Sequence, residues 1–164
     1  MPRIGNGWIS LVADDEGGST MTLIRLIYTS RAAVALDRPA LSELARRADA
    51  ANRGVGITGV LVYASGSFAQ VLEGEGDAVH PLYSLIELDP RHRDVQLHWD
   101  EPVQSRRFAA WNMGLANLDD APLAKLDAFR GFLDQLRADG RWSDATGDDP
   151  ARLLANFARL VAAA

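Results

Sequence analysis

The order of its strand-like and helix-like segments is the feature that most constrains how this chain can fold. Five runs of apolar or alternating β-favouring residues predict strands: 23–28, 57–63, 68–72, 95–99 and 111–118. Apolar residues at helical spacing predict two helices, one after the first strand and one after the third. The order β-α-β-β-α-β-β predicts an α+β fold of the ferredoxin-like type, with one mixed sheet and both helices on the same face.

Two of these segments also predict which side chains face the core. In the fourth strand, three apolar side chains alternate with polar ones and are expected on one buried face: Val95, Leu97 and Trp99. In the second helix, four apolar side chains recur at helical spacing and are expected on the buried side: Val79, Leu82, Leu85 and Ile86. Each element is therefore expected to place one face on a core.

The chain divides into three predicted parts: a flexible N-terminal extension (1–21), a folded domain (22–118) and a C-terminal helical extension (119–164). A helix beginning at Pro122 carries an apolar stripe of Leu123, Leu126, Phe129, Leu133 and Leu136. After Gly140, a final helix is predicted from Asp149, with apolar residues Leu153, Leu154, Phe157, Leu160 and Val161. We expect this extension to cover the open sheet face, to mediate a homodimer or higher oligomer, or both.

Composition and charge argue against several functional classes. The net charge of -5 disfavours direct nucleic-acid binding, which needs clustered Lys and Arg. The absence of cysteine excludes disulfides, thiolate metal sites and cysteinyl adducts, and we identify no candidate metal ligands. No apolar run approaches the roughly 20 residues needed to span a bilayer. We therefore expect a cytoplasmic protein without a membrane segment.

Three polar residues next to buried elements are the first candidates for a ligand site: Tyr28, Asn52 and Gln70. Taken singly, each is more often a structural residue that satisfies a neighbouring group. In a ferredoxin-like sheet, however, the first and third strands are neighbours and the first helix packs across them, so these side chains can converge. Because an amide both donates and accepts, Gln70 can reverse its hydrogen bonding by rotating.

Five sequence blocks, in order and with the expected spacing, resemble the successive motifs of BLUF domains. The blocks are LIYTSRA at 26–32, Asn52 with GITG at 56–59, GSFAQVLEG at 66–74, DPRH at 89–92 and RFAAWNMG at 107–114. The resemblance covers roughly residues 22–117, so it identifies the predicted folded domain as a flavin-binding BLUF photosensor. It implies a blue-light photoreceptor that binds FAD and is not an enzyme.

The resemblance also implies the residues of the flavin site. FAD would lie between the two helices, with Asn52 and Gln70 bonded to its polar edge and Tyr28 beside Gln70. Three further residues would border the flavin: Asp89, Arg91 and His92. In the family, absorbed blue light makes the flavin a strong oxidant; Tyr28 would then donate an electron and a proton, and Gln70 would rotate or tautomerise. Nothing is consumed, and the expected signal is a small red shift of absorption.

Two residues on the predicted fifth strand, Trp111 and Met113, match the family's signalling positions, where alternate packing could convey the change at Gln70. Ala48 and Ala51 depart from the family pattern, in which polar side chains are common at these positions, so one flavin contact is expected to be missing. Because the chain ends soon after the sensor, we expect output through an unidentified protein partner or through a dimer.

Two alternatives to a photosensor share the predicted fold. An acylphosphatase-like enzyme would need a glycine-rich phosphate loop directly after the first strand, but the sequence there, TSRAA at 29–33, contains no glycine. A non-photoactive interaction module would keep the fold and yield a colourless protein. The presence of Tyr28 and Gln70 argues against that module.

Overall fold

The computed structural model describes residues 21–139 together with Arg152, Leu154 and Ala155. Its elements are β1 (Leu23–Ala32), α1 (Arg38–Gly54), β2 (Thr58–Ala64), β3 (Ser67–Glu75), α2 (Gly76–Leu88), β4 (His92–Pro102), β5 (Gly114–Asn117) and α3 (Leu123–Asp139). Their order confirms the predicted β-α-β-β-α-β-β succession. Residues 1–20 of the predicted extension at 1–21, the break at Gly140 and most of the final predicted helix lie outside the described residues.

The five strands form one mixed sheet in the order β4-β1-β3-β2-β5. In it, β1 runs antiparallel to β3 and β4, β2 runs antiparallel to β3, and β5 runs parallel to β2. The central strands β1 and β3 are therefore neighbours, as predicted. Their register pairs Tyr28 directly with Gln70. Side chains on directly opposed residues of paired strands lie on the same face, so this register brings the two candidates together.

Helices α1 and α2 pack on one face of the sheet, as predicted. The Asp37 side chain caps the start of α1 by accepting a 2.9 Å hydrogen bond from the backbone N–H of Ala40, which satisfies a donor that has no partner within the helix. The apolar cluster on this face joins sheet residues to Leu41 of α1 and to Val79 and Tyr83 of α2. We call it the helix-pair core.

Helix α3 covers the opposite face of the sheet. Sheet side chains such as Val62 and Val71 share a second apolar cluster, which we call the α3 core, with four buried residues of α3: Phe129, Phe132, Leu133 and Leu136. Leu154 and Ala155 also join this core. Leu123, predicted as part of the buried stripe, is instead 68% exposed because it lies in the first turn of α3, ahead of the docked face.

A β-bulge overturns the prediction that Val95, Leu97 and Trp99 share one face of β4. Trp99 pairs with Ile27 and Leu97 pairs with Tyr28, so two consecutive residues of β1 face three of β4, with His98 as the extra residue. An extra residue shifts the alternation of the strand by one. Val95 and Leu97 therefore pack on the helix-pair core, whereas Trp99 packs on the α3 core.

The fifth strand is shorter than predicted, and one α2 residue predicted to be buried is exposed. Trp111 and Met113 precede β5. At Trp111 the chain makes one backbone hydrogen bond to β2, from the Gly59 N–H to the Trp111 carbonyl at 2.9 Å, but regular pairing with β2 begins only at Gly114. Leu85, predicted on the buried side of α2, is exposed: Val79 and Tyr83 pack against the sheet, whereas Leu85 borders the open space between α1 and α2. Within the described residues, no helix has the length and apolar character to cross a membrane.

The packing of α3 predicts the effect of truncating its leucines. Leu136→Ala should lower the free energy of unfolding by about 2 to 5 kcal/mol, because Leu136 is fully buried in the α3 core and its removal leaves a cavity. Leu123→Ala in the same helix should change it by less than about 0.5 kcal/mol. Urea denaturation of both variants measures the difference, and equal losses would contradict the docking of α3 on the sheet.

Candidate functional site

A cavity of about 330 Å³ lies over the helix-covered face of the sheet, between α1 and α2. All six residues predicted to bind the cofactor line it: Tyr28, Asn52, Gln70, Asp89, Arg91 and His92. Its apolar walls come from α1, α2 and β2, through Leu44, Ala48, Leu82, Ile86 and Leu61. The fold therefore gathers polar groups from four separate parts of the chain around one apolar cavity.

The hydrogen bond between Tyr28 and Gln70 lies at the sheet end of this cavity. The phenol Oη of Tyr28 donates to Oε1 of Gln70, and Nε2 of Gln70 donates to the sulfur of Met113 at 3.3 Å. All three side chains are buried, Tyr28 to within 1% of full burial. The Gln70 amide is thus oriented by one partner at its oxygen and another at its nitrogen.

The surroundings of Tyr28 keep its phenol protonated. Burial raises the pKa of Tyr28 far above its ordinary value, and the neighbouring Tyr83 and the Asp89 carboxylate raise that pKa further. The rings of Tyr28 and Tyr83 lie 5.6 Å apart. Tyr28 therefore acts as a hydrogen-bond donor to Gln70, and forming a phenolate at this position is unfavourable.

Asn52 is held at the C-terminal end of α1 by contacts on both its backbone and its side chain. Its carbonyl accepts hydrogen bonds from the N–H groups of Val55 and Ile57, at 3.1 and 3.0 Å. Its Nδ2 donates to the carbonyl of Asn112 at 2.9 Å, and the Asn112 amide in turn donates to the carbonyl of Ile57 at 3.0 Å. These contacts fix Asn52 in the cavity wall.

Asp89, Arg91 and His92 form the other polar wall, where α2 ends and β4 begins. The Arg91 guanidinium donates to the Asp89 carboxylate, with Nε 3.0 Å from Oδ1, and this contact lowers the pKa of Asp89 and raises that of Arg91. Nδ1 of His92 lies 2.8 Å from Oγ of Ser30, and the His92 ring meets Tyr28 edge-on at 6.3 Å. Burial lowers the pKa of His92.

The two predicted signalling residues occupy different places. Met113 is buried and contacts Gln70 directly, whereas Trp111 is 36% exposed and stacks on Phe108, with ring centres 6.2 Å apart. Trp111 also lies against Gly114, where a Cβ atom would come within 2.8 Å of its ring. The structure thus brings Met113 to the site and leaves Trp111 beside it.

Two neighbours of the site were not predicted from the sequence. Tyr83 contacts Tyr28, and its position four residues after Val79 on the buried side of α2 is a signal that could have found it. Asn112 holds Asn52 across 60 positions of the chain. No local pattern marks such a long-range contact.

Comparison with known proteins now assigns the family. The family model described as sensors of blue-light using FAD matches residues 23–114. The chain belongs to the BLUF family. It is 39% identical over 121 residues to photoactivated adenylate cyclase subunit beta of Euglena longa, which covers 73% of this chain and 14% of that protein. The BLUF chain spans between 10% and 15% of the length of the curated relatives it matches.

Solved BLUF structures have the same fold. BlrB, a BLUF protein in its dark state, superposes with a TM-score of 0.62 at 30% identity, covering 87% of this chain and 96% of that one. Klebsiella pneumoniae BlrP1, solved with FMN and cyclic diGMP, superposes with a TM-score of 0.61 at 33% identity, covering 84% and 34%. The mixed five-stranded sheet with its helices is therefore the BLUF fold.

The residues that line the cavity fit the FAD that defines the family. Its apolar walls suit a flat aromatic ring, and the small side chains of Ala48 and Ala51 leave space beside α1. The Gln70 and Asn52 amides can both donate and accept, as the polar edge of a flavin requires. The guanidinium groups of Arg47 and Arg91, also in the lining, would donate hydrogen bonds to its phosphates.

The contact between Asp89 and Arg91 predicts a change in titration. Its stabilising contribution is present above the ordinary carboxyl pKa of about 4 and is lost as the pH falls through the lowered pKa of Asp89. Arg91→Gln should therefore raise the pKa of Asp89 toward about 4. Carbon-detected NMR titration of the carboxyl measures this shift. Arg93→Gln, at an exposed position in the same segment, serves as the control and should leave the pKa of Asp89 unchanged.

Proposed function

We propose that this BLUF chain senses blue light through the hydrogen-bonded pair Tyr28 and Gln70, and holds its flavin with the residues that line the cavity. The observation that carries the proposal is the donation from the Tyr28 phenol to the Gln70 amide within that cavity. FAD supplies blue-light absorption and, once excited, an oxidant. The groups that would transfer the proton and change their hydrogen bonding are side chains of this chain.

Tyr28 would be the electron and proton donor. Loss of an electron from a phenol makes its O–H strongly acidic, so the proton would move along the existing hydrogen bond to Oε1 of Gln70. Burial opposes a free charge at this position, which favours coupled movement of the proton and the electron. Return of both to Tyr28 would restore the phenol, so nothing is consumed.

Gln70 would be the residue whose hydrogen bonding changes after the proton transfer from Tyr28. Protonation of its oxygen permits rotation or tautomerisation, which changes the group presented to Tyr28, to Met113 and to the cavity. The contact with Met113 is weaker than the contact with Tyr28, because a thioether sulfur is a poor acceptor, so the Met113 side restrains reorientation less than the Tyr28 side. The changed hydrogen bonding would give the small red shift of absorption.

Output would leave through the opposite face of the sheet. Ala69 and Val71, the neighbours of Gln70 on β3, both belong to the α3 core, so a strain on β3 at Gln70 reaches the side chains of α3. A BLUF domain is a photosensor rather than a catalyst, and we propose that this chain signals through a protein partner or through self-association. The cyclase activity named for the Euglena relatives belongs to proteins that extend well beyond the matched region.

The two alternative functions receive no support beyond the shared fold. Neither the acylphosphatase-like enzyme nor the non-photoactive module accounts for the convergence of Tyr28, Asn52 and Gln70 on one cavity. The cytoplasmic location expected from the sequence stays a prediction, as do the oligomeric state and the absence of direct nucleic-acid binding.

Substituting the proposed donor tests the proposal most directly. Tyr28→Phe should still bind FAD, because the ring is kept, but should lose the light-induced red shift, because the O–H bonded to Gln70 is gone. Tyr83→Phe is the matched control: it removes a hydroxyl from the tyrosine packed against Tyr28 and should keep the shift. Absorption spectra before and after blue light, followed through dark recovery, measure both. A normal shift in Tyr28→Phe would remove Tyr28 from the mechanism.

Asn52 provides a separate test of flavin binding. Asn52→Ala should raise the FAD dissociation constant by about three- to tenfold, the loss expected for one hydrogen bond. Ser42→Ala, at an exposed position of the same helix, should leave it unchanged. Titration of flavin fluorescence against the purified protein gives both constants. Equal affinities for the Asn52 variant and the wild type would exclude Asn52 as a flavin ligand.

A further inference from the structure

The connection between β4 and β5 crosses one end of the sheet. These strands lie at opposite edges, so residues 103–113, which we call the crossing loop, pass the ends of β1, β3 and β2. The loop bonds to β1 where the Val103 N–H donates to the Leu23 carbonyl at 3.0 Å, and to β2 where the Gly59 N–H donates to the Trp111 carbonyl at 2.9 Å. Its contacts with β3 centre on one residue, Glu73.

Glu73 of β3 holds the middle of the crossing loop. It is fully buried, and its two oxygens accept from successive backbone N–H groups, Oε1 from Arg107 and Oε2 from Phe108, each at 2.9 Å. The Nε of Arg25 also donates to Oε1, at 2.8 Å, and balances the buried charge. Only a carboxylate offers an acceptor to both loop amides and to the guanidinium at once.

Arg106 adds a second anchor beside Glu73. Its Nη1 donates to Oγ1 of Thr58 and to the carbonyl of Glu73, both at 2.9 Å, and its Nη2 donates to the carbonyl of Gly56 at 2.7 Å. At this point the two segments bond to each other in both directions. The Glu73 side chain of the sheet accepts from the loop backbone, and the Arg106 side chain of the loop donates to the sheet. Three consecutive loop residues, 106–108, are fixed in this way.

The anchored part of the loop reaches both cores. Phe108 is buried in the α3 core, whereas Met113, five residues later, is buried in the helix-pair core and contacts Gln70. Between them the Trp111 N–H donates to the Phe108 carbonyl at 3.0 Å, which closes a turn. A change in the position of Met113 is thereby tied to Phe108 through a short, hydrogen-bonded segment.

We propose that Glu73 is a positioning residue for the light response: it holds the crossing loop so that Met113 stays against Gln70 and so that movement of Met113 is passed to the α3 core. The role of Gln70 in this inference rests on the function proposed above. Glu73 lies three residues from Gln70 on β3 and acts on it through the loop rather than by direct contact.

The test uses Glu73→Gln in the full chain, with Glu75→Gln as the matched control. Glutamine keeps the shape but has one acceptor and presents an NH₂ group to the second loop amide, so that amide loses its partner. The control removes the same charge from the same strand at a residue whose Oε2 has no hydrogen-bond partner among the described residues. Two measurements without flavin report on the loop: amide hydrogen exchange and the methyl resonance of Met113.

In Glu73→Gln we expect exchange at Arg107 or Phe108 to accelerate by about tenfold. The ¹³C-methyl resonance of Met113 should move toward that of Met21, which is 76% exposed and serves as an internal reference. After loading with FAD, dark recovery should be faster by about two- to tenfold, because Gln70 is less restrained. Glu75→Gln should match the wild type in all three.

An unchanged Met113 resonance in Glu73→Gln would overturn the proposal, whether or not the loop amides exchange faster, because the loop would then not set the position of Met113. If Glu73→Gln does not fold, Arg106→Met, which removes the second anchor, is measured in the same way with the same expected changes and the same deciding outcome. A wild-type protein that binds FAD without a light response would overturn the proposed function, whereas the flavin-free measurements would still decide the role of Glu73 in holding the loop.

Discussion

The antiparallel register of β1 against β3 determines where the two central polar groups of the cavity, Tyr28 and Gln70, stand. It places Tyr28 opposite Gln70 on the two central strands, and a shift of one residue would send one of these side chains to the α3 core instead. The register is well defined because both strands carry apolar residues on both faces, so any slip would exchange buried side chains between two differently shaped cores. The geometry of the site is therefore a consequence of packing.

Covering both faces of the sheet also gives the site its electrostatic character. With α1 and α2 on one side and α3 on the other, the centre of β3 is removed from water, so its polar side chains need partners within the protein. Gln70 finds them in Tyr28 and Met113, and Glu73 finds them in Arg25 and the crossing loop. The same exclusion of water raises the pKa of Tyr28 and keeps its phenol a hydrogen-bond donor.

Much of this architecture could be predicted from the sequence, because it follows from local periodicity and from motif order. The strand and helix order and the neighbouring positions of β1 and β3 were predicted correctly. Two of the errors came from non-local features. The bulge at His98 moved Trp99 to the other core, and the contacts of the loop with β2 decided where β5 begins. Such features depend on partners far away in the chain, which periodicity does not encode.

The two contacts of the Gln70 amide differ greatly in strength. On one side a phenol donates to its oxygen, and on the other its nitrogen reaches a thioether sulfur, a soft and weak acceptor. The amide is therefore held firmly only by its hydrogen bond with Tyr28. A stronger acceptor in place of Met113 would lock the dark arrangement, whereas a purely apolar one would leave the amide nitrogen unsatisfied. The acceptor strength of the sulfur lies between these two cases. The hydrogen bond with Tyr28 therefore controls when the Gln70 amide can reorient.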